Sequence, residues 1–183
     1  MTIKQNYTGH RKDMETLRDY FYIFKLMGRW PRTLMELGVD NGGSLMLWND
    51  LFELERIVGL DSVLTAKTRE MLDRFSHIHF FQFDQRDKGS VYKILKQLES
   101  RKWAFDVIVD DCCHDQRAII MNLKAFWKLL NPGGMYIVED WRANEKNLHM
   151  MLLEEIHEMT DTGVPAMESI TILPSMIVFH NEV

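Results

Sequence analysis

Short apolar runs alternate along this chain with segments that carry apolar residues at helical spacing. The runs predicted as strands are 33–37, 56–61, 78–85, 105–111 and 135–140. The helical pattern covers 13–27, 65–75, 88–99, 116–130 and 144–159, with one more amphipathic segment from Leu45. Buried strands that alternate with helices are typical of a parallel sheet, so we predict a doubly wound α/β fold.

The last two apolar runs, 170–173 and 176–179, flank Pro174 and Ser175. Two short strands around such a turn predict an antiparallel hairpin. We therefore expect a mostly parallel, seven-stranded sheet that carries this hairpin at one edge.

Length, charge and cysteine content narrow the class of protein. With 183 residues and no linker-like stretch, residues 1–183 are expected to form one domain, in which 1–30 are an N-terminal arm and a leading helix. A formal net charge of −5 without a long basic run argues against a nucleic-acid partner. No apolar run is long enough to cross a bilayer, which argues against a membrane partner. The two cysteines are neighbours and cannot bridge distant segments, so we expect a cytoplasmic protein.

The first predicted strand runs into a glycine-rich turn, 38–43, just before Ser44 and the next helical segment. Glycine allows a close backbone approach and a positive φ, and a helix N-terminus offers unpaired N–H groups. A strand, a glycine turn and a helix in this order begin many nucleotide sites. The glycine spacing differs from the dinucleotide G-x-G-x-x-G pattern, so the turn alone is also compatible with a plain tight turn.

Acidic residues end the four strands that follow the glycine turn. They are Asp61, Asp84, the pair Asp110-Asp111 and the pair Glu139-Asp140. Because ligands of doubly wound sheets bind beyond the carboxyl ends of the strands, we expect these acids to surround one site. Asp61 has a structural alternative, since an Asp after a strand often caps the next helix.

This order of motifs resembles the class I S-adenosylmethionine-dependent methyltransferases over nearly the whole chain. The Glu36-x-Gly38 turn is similar to their first motif, the sequence Asn-Pro-Gly-Gly at 131–134 is similar to their "LxPGG" turn, and the terminal hairpin also matches. The resemblance implies a Rossmann-like fold and S-adenosylmethionine as the cofactor. The cofactor-binding residues that it implies are Glu36, Gly38, Asn41, Gly42, Ser44, Asp61 on the ribose, Asp84 and Gln85 beside the adenine, and Asp110. The sequence leaves open whether Asp110 joins the site or turns into the core.

A narrower resemblance is to the macrolide-sugar O-methyltransferases, whose sequence family includes proteins labelled cephalosporin hydroxylase. It is carried by 37–45 with Trp48, by Asp-Asp-Cys-Cys-His at 110–114 and by Val-Glu-Asp at 138–140. The resemblance implies a magnesium ion bound by Asp111, Glu139 and Asp140. It also implies that His114, together with Asp111, forms the catalytic pair, with His114 as the general base.

The chemistry of these side chains agrees with that assignment. Carboxylate oxygens suit Mg²⁺, and histidine exchanges protons near neutral pH. The related group has Gly-Ser where this chain has Cys112-Cys113, so a loop that needs glycine for a positive φ would take another path here. Adjacent thiols lack the usual spacing of a zinc site, and we expect them to be buried and unreactive.

These observations predict a magnesium-assisted O-methyltransferase that acts on a hydroxyl of a small molecule such as a sugar, a glycan or a natural product. Two alternatives remain: a metal-independent small-molecule methyltransferase, and a non-catalytic subunit that binds S-adenosylmethionine. A nicotinamide oxidoreductase is disfavoured by the glycine spacing and the hairpin. The family resemblance also implies a homodimer or homotetramer, for which the aromatic leading helix offers a surface if it is not needed in the core.

The polar arm before the leading helix, which includes Lys12, is expected to be a solvated terminus or, alternatively, a lid over the ligand. Substrate specificity is expected from 7–12 or from the loop 141–144, where Trp141 either walls the pocket or packs in the core.

Overall fold

The structure, a computed structural model, describes residues 12–141, 154 and 167–182. The N-terminal arm before Lys12, the loop 142–144 and, apart from Glu154, the helix predicted at 144–159 lie outside these residues.

Strands and helices alternate through the described chain, as the sequence predicts. In order, they are α1 Met14–Leu26, β1 Thr33–Leu37, α2 Gly43–Leu51, β2 Arg56–Asp61, α3 Ala66–Leu72, β3 Ile78–Gln82, α4 Lys88–Ser100, β4 Phe105–Asp110, α5 Gln116–Phe126, β5 Leu130–Glu139, β6 Met167–Ile172 and β7 Met176–Asn181. Asp13, Thr65, Asp87 and Asp115 cap the N-termini of α1, α3, α4 and α5 by accepting backbone N–H groups. Among the described residues, no helix is long and apolar enough to span a membrane.

The strands form one seven-stranded sheet in the order β3-β2-β1-β4-β5-β7-β6. Pairing is parallel from β3 through to β5, and β7 joins β5 and β6 antiparallel. The predicted doubly wound sheet with a C-terminal antiparallel hairpin is therefore confirmed. The strand order reverses between β1 and β4, so the site expected in such a fold lies at the carboxyl ends of these two strands.

The period of two along the strands divides the core between the two faces of the sheet. Leu34 and Val107 point to the face covered by α1, α2 and α3, whereas Met35 and Ile108 point to the face covered by α4 and α5. Tyr20 and Phe24 of α1 are buried in the first of these layers, so two of the three aromatic residues considered for an interface serve the core.

The fifth strand differs from its predicted boundaries. The predicted helix 116–130 ends at Phe126, a short 3₁₀ turn covers Trp127–Leu129, and β5 starts at Leu130 rather than Met135. Leu130 pairs with Phe105 of β4, and the register then shifts in a bulge. Gly133, at a positive φ of 69°, donates its N–H to the carbonyl of Glu182. The Asn-Pro-Gly-Gly signal thus marks a bulged entry into the strand, because tertiary pairing outweighs its turn preference.

Two other elements, β3 and α3, are also shorter than predicted. β3 stops at Gln82, three residues before the predicted end, and α3 spans Ala66–Leu72 instead of 65–75. After Gln82 the chain leaves the edge strand to form the loop that carries Asp84 and Gln85.

The glycine turn after β1 lies directly against the loop that follows β4. Gly38 has a φ of 88°, and a Cβ built there would overlap the backbone of Asp111, with the Asp111 carbonyl carbon only 2.7 Å away. Asp111 in turn donates its N–H to the carbonyl of Leu37 at 2.9 Å. The absence of a side chain at Gly38 therefore allows the ends of β1 and β4 to meet.

We expect Gly38→Ala to destabilise the protein much more than Gly28→Ala. Both glycines have positive φ, but a Cβ at Gly28 meets no atom within 4 Å. Gly28→Ala should cost about 1–2 kcal/mol of unfolding free energy from backbone strain, and Gly38→Ala at least about 3 kcal/mol, because overlap is added to strain. Urea denaturation of both variants measures the difference, and equal losses would contradict the close approach of Gly38.

Candidate functional site

A cavity of about 720 Å³ opens at the carboxyl ends of the parallel strands. Its size is that of a small-molecule site. Most of the predicted site residues line it, namely Gly38, Asn41, Ser44, Asp61, Asp84, Gln85, Asp111, His114, Glu139 and Asp140. Glu36, Gly42 and Asp110 are buried and do not line the cavity.

Asp61, at the end of β2, holds the glycine turn in place. Its Oδ2 accepts the N–H groups of Val39 and Asp40, each at 2.8 Å. Its Oδ1 makes only longer contacts, to Ser62 Oγ at 3.3 Å and Val63 N at 3.2 Å. Since Thr65 caps α3, the helix-cap alternative for Asp61 does not hold. Asp61 lies where a ribose-binding acid was expected, with acceptor capacity left on Oδ1.

The loop after β3 forms another wall of the cavity. Asp84 is exposed, and its Oδ1 accepts the N–H of Arg86 at 3.0 Å. Gln85 is buried, and its side-chain oxygen accepts from Asn122 of α5 at 3.3 Å. The Gln85 side chain is thus used to anchor the loop, while the Asp84 carboxylate remains accessible from the cavity.

The structure places Asp110 in the core, which corrects its assignment to the cofactor. It is 1% exposed, and its Oδ2 accepts from Tyr136 at 3.0 Å and from Asn122 at 3.4 Å. Burial raises the pKa of Asp110 to about 6, although these two hydrogen bonds oppose the shift. Alternation along β4 explains the placement, because neighbouring residues of a strand point to opposite faces and only Asp111 remains at the cavity.

Three carboxylates lie close together at the cavity and form what we call the inner group: Glu36 and Glu139, which are buried, and Asp111, which is half-buried. Glu36, the penultimate residue of β1, and Glu139, the last residue of β5, lie on the sheet face that α1 covers. There Tyr20 of α1 donates its hydroxyl hydrogen to Glu139. The Lys12 ammonium, just before α1, also donates to Glu139 and lies 3.0 Å from Asp111 Oδ2 and 3.3 Å from Glu36 Oε1.

The charges in the inner group are strongly coupled. Burial alone would lower the pKa of Lys12, but the attraction of Glu139, Glu36 and Asp111 raises it well above its ordinary value. Burial raises the pKa of Glu36 to about 7, against the attraction of Lys12. Neither oxygen of Glu36 accepts a well-formed hydrogen bond from the described residues. Within the described part of the chain, Lys12 therefore carries most of the charge compensation for this group.

The position of Lys12 overturns its interpretation as part of a solvated arm. Its side chain is 3% exposed, and Asp13, the next residue, caps α1. The polar sequence around Lys12 gave no periodic signal for burial, so sequence reasoning missed it. The same holds for the hydroxyl of Tyr20, since helical spacing predicts a buried ring but not its polar partner.

A second group of possible ligands, the outer group, lies at the cavity surface and consists of Asp111, His114 and Asp140. Asp111 thus belongs to both groups. His114 Nε2 is 3.9 Å from Asp140 Oδ2, and the two side chains are 24% and 62% exposed. Both residues have positive φ, 54° for His114 and 51° for Asp140. The predicted ligand set Asp111, Glu139 and Asp140 is divided between the inner and outer groups.

The two cysteines both line the cavity and are half-buried. Cys113 Sγ accepts from Arg86 Nε at 3.3 Å. Burial raises the pKa of the Cys112 thiol well above its ordinary value, which agrees with the expected low reactivity of that residue. Neither cysteine has a positive φ, because the left-handed conformation of this loop falls on His114.

Trp141, which directly follows the last acidic pair, packs against the core on the α4 and α5 side of the sheet. Its indole N–H donates to the carbonyl of Leu173 at 3.1 Å. Of the two alternatives for this residue, packing agrees better with the structure.

Residues 35–141 match the family described as "Methyltransferase domain". The match covers more than half of the chain. The chain belongs to this methyltransferase family. The class I S-adenosylmethionine-dependent methyltransferase predicted from the sequence is therefore confirmed at the level of the family.

Two curated proteins that resemble the chain are named as O-methyltransferases. The 8-demethyl-8-alpha-L-rhamnosyl tetracenomycin-C 2'-O-methyltransferase of Streptomyces olivaceus is 30% identical over 119 residues, 61% of this chain and 29% of that protein. The mycinamicin VI 2''-O-methyltransferase of Micromonospora griseorubida is 30% identical over 118 residues, 60% of this chain and 27% of that protein. The chain thus spans under a third of the length of these two relatives.

Solved structures agree with the fold. The MycE methyltransferase of the mycinamycin biosynthetic pathway, in complex with Mg and SAH, superimposes with a TM-score of 0.70 at 22% identity, covering 90% of this chain and 49% of that one. An O-methyltransferase from Bacillus cereus in complex with SAH gives a TM-score of 0.61 at 16% identity, covering 97% and 85%. At these identities the likeness concerns the fold.

We expect Asp110 to make the stability of the protein depend on pH. Its folded pKa of about 6 lies above the ordinary 3.8, so its contribution is complete below about pH 4 and is lost as the pH rises through 6. The loss is at most about 3 kcal/mol, since one pKa unit corresponds to about 1.4 kcal/mol. Urea denaturation at pH 4 to 7.5 should show this decline in the wild type and a flatter profile in Asp110→Asn. Identical profiles would argue against a buried, protonated Asp110.

Proposed function

We propose that this methyltransferase-family chain binds S-adenosylmethionine in the cavity at the carboxyl ends of β1 to β5 and transfers its methyl group to a hydroxyl of a small molecule, with the assistance of a magnesium ion. The methyl acceptor belongs to the class of hydroxylated natural products, sugars or glycans. A cytoplasmic setting, one catalytic domain and a homodimer or homotetramer remain part of this proposal.

One observation carries the cofactor assignment. Asp61 fixes the glycine turn through two backbone N–H groups and has acceptor capacity left at the cavity surface. The exposed Asp84 lies on the next wall of the same cavity. A diol and an exocyclic amine are the groups that such separated acceptors recognise, which supports an adenosine moiety between β2 and β3.

The donor atoms at the other end of the cavity fit a hard cation. The inner and outer groups each bring three possible ligand atoms within 4.8 Å of one another, and most of these atoms are carboxylate oxygens. The resemblance assigns the metal to Asp111, Glu139 and Asp140. A bound magnesium ion would stabilise negative charge on a substrate oxygen.

The remaining steps belong to residues of the chain. His114 is the candidate base that takes the proton of the acceptor hydroxyl, and it lies at the cavity surface within reach of a bound molecule. The turn held by Asp61 would orient the cofactor so that the methyl carbon and the acceptor oxygen meet in line. The raised pKa of the Cys112 thiol favours its protonated form, so the proposal gives it no part in this chemistry.

The cofactor assignment is tested by calorimetric titration of S-adenosylhomocysteine into the protein in EDTA. We expect saturable binding that weakens at least about tenfold in Asp61→Ala, because hydrogen bonds to a charged acceptor are worth about 1.5–3 kcal/mol each. Asp73→Ala, at an exposed position after α3, is the matched control and should bind like the wild type. No binding by the wild type would refute the proposed function.

The base assignment is tested in His114→Ala with a panel of glycosylated and catecholic acceptors. We expect turnover to fall by about 10²- to 10⁴-fold while S-adenosylhomocysteine affinity stays within about twofold. Divalent-metal affinity, measured on the same variant, separates two roles, because a large decrease would make His114 a ligand rather than the base. Turnover by the wild type that survives chelation would support the metal-independent alternative.

A further inference from the structure

Lys12 places a fixed positive charge where the carboxylates of the inner group converge. Its ammonium contacts Glu139, Asp111 and Glu36, which belong to three different strands or strand ends. The contact with Glu139 is a buried hydrogen bond between residues 127 positions apart in the chain. Lys12 is therefore part of the tertiary structure of the site.

Two aromatic rings near the Lys12 ammonium also stabilise a positive charge at this position. Its Nζ lies 5.7 Å from the ring centroid of Tyr20 and 5.6 Å from that of Trp48, two rings that are themselves buried and 4.7 Å apart. Aromatic faces attract a cation when it is removed from water. The carboxylates and the two rings together enclose the charged end of Lys12.

A hydrated divalent ion has different requirements. Mg²⁺ usually keeps several of its water molecules and binds protein through one or two carboxylates. The side chains of Glu36 and Glu139 are 0% and 5% exposed, so water reaches them poorly. In the outer group, Asp111, His114 and Asp140 are 27%, 24% and 62% exposed. Both carboxylates of the outer group, Asp111 and Asp140, are therefore accessible to metal-bound water, whereas Asp111 is the one carboxylate of the inner group exposed to that extent.

We infer that Lys12 is the resident cation of the inner group and confines a divalent metal to the outer group, where Asp111 and Asp140 would be its protein ligands and His114 remains the candidate base. Glu139 is then the partner of Lys12 and Tyr20 and no metal ligand, which departs from the set implied by the family resemblance. Lys12 acts as a positioning residue, because it determines which oxygens of the acidic edge remain for the metal. This inference rests on the proposed metal-assisted function and identifies the ligands of that site.

The test measures the affinity of the protein for a divalent metal and does not depend on catalytic turnover. Mn²⁺, used in place of Mg²⁺, is titrated into each variant, and the free ion is followed by its electron paramagnetic resonance signal. Asp140→Asn should weaken Mn²⁺ binding at least about tenfold, the size of loss seen when a metal site is disturbed. Glu36→Gln should leave the affinity within about twofold, since Glu36 belongs to the inner group alone.

Replacing Lys12 should open the inner group to the metal. We expect Lys12→Met to bind Mn²⁺ at least about tenfold more tightly, because three carboxylates lose their counter-ion, and Lys12→Met/Glu36→Gln should lose most of that gain. Lys96→Met is the control, since this lysine pairs with Glu99 on the surface of α4. The two single variants that keep Lys12 test the inference even if Lys12→Met does not fold.

Three results would overturn the inference. They are a loss in Glu36→Gln as large as that in Asp140→Asn, an unchanged affinity in a folded Lys12→Met, and the absence of Mn²⁺ binding in every variant. Failure of the proposed function is recognised separately, because it requires that S-adenosylhomocysteine does not bind in EDTA. A protein that binds this cofactor product but shows one of the three results keeps its function and loses the assigned role of Lys12.

Discussion

Acidic residues lie close together at the carboxyl ends of the parallel strands, and the structure depends on how their negative charge is compensated. Burying carboxylates without a partner costs several kcal/mol per ion even after relaxation. Among the described residues, the ammonium of Lys12 contacts Glu36, Asp111 and Glu139. The same contacts hold the start of α1 against three strand ends. The packing of this helix and the compensation of charge at the cavity therefore depend on the same interactions.

Local sequence patterns predicted most of the fold. Alternating apolar runs and helical spacings are short-range signals, and they located every strand of the sheet and the antiparallel hairpin within about three residues, apart from the start of β5. Acids at strand ends were also readable, because the connection rules of parallel sheets bring those ends together. The separation of Asp110 from Asp111 follows from the same alternation, although the sequence alone did not say which of the two would face the cavity.

Features that depend on contacts between residues far apart in the chain could not be predicted from the sequence. Lys12 lies in a polar stretch without periodicity, and its partners Asp111 and Glu139 are 99 and 127 positions away. The conformation of the loop after β4 also has no local signature, because its positive φ falls on His114 and not on the cysteines that stand where the related group has Gly-Ser. The start of β5 was misplaced since pairing with Phe105 draws Leu130 into the sheet ahead of the glycines.

His114 and Asp140, like Asp40, are cavity-lining residues other than glycine that have a left-handed backbone. An L-residue other than glycine adopts this conformation at a cost of about 1–2 kcal/mol, and asparagine or glycine would relieve much of it. Thermodynamic stability and chemistry therefore favour different amino acids at the same two sites. Selection for thermal stability alone would therefore favour substitutions at these two positions that remove the imidazole and the carboxylate. Such variants would be more stable and would lack the proposed catalytic activity.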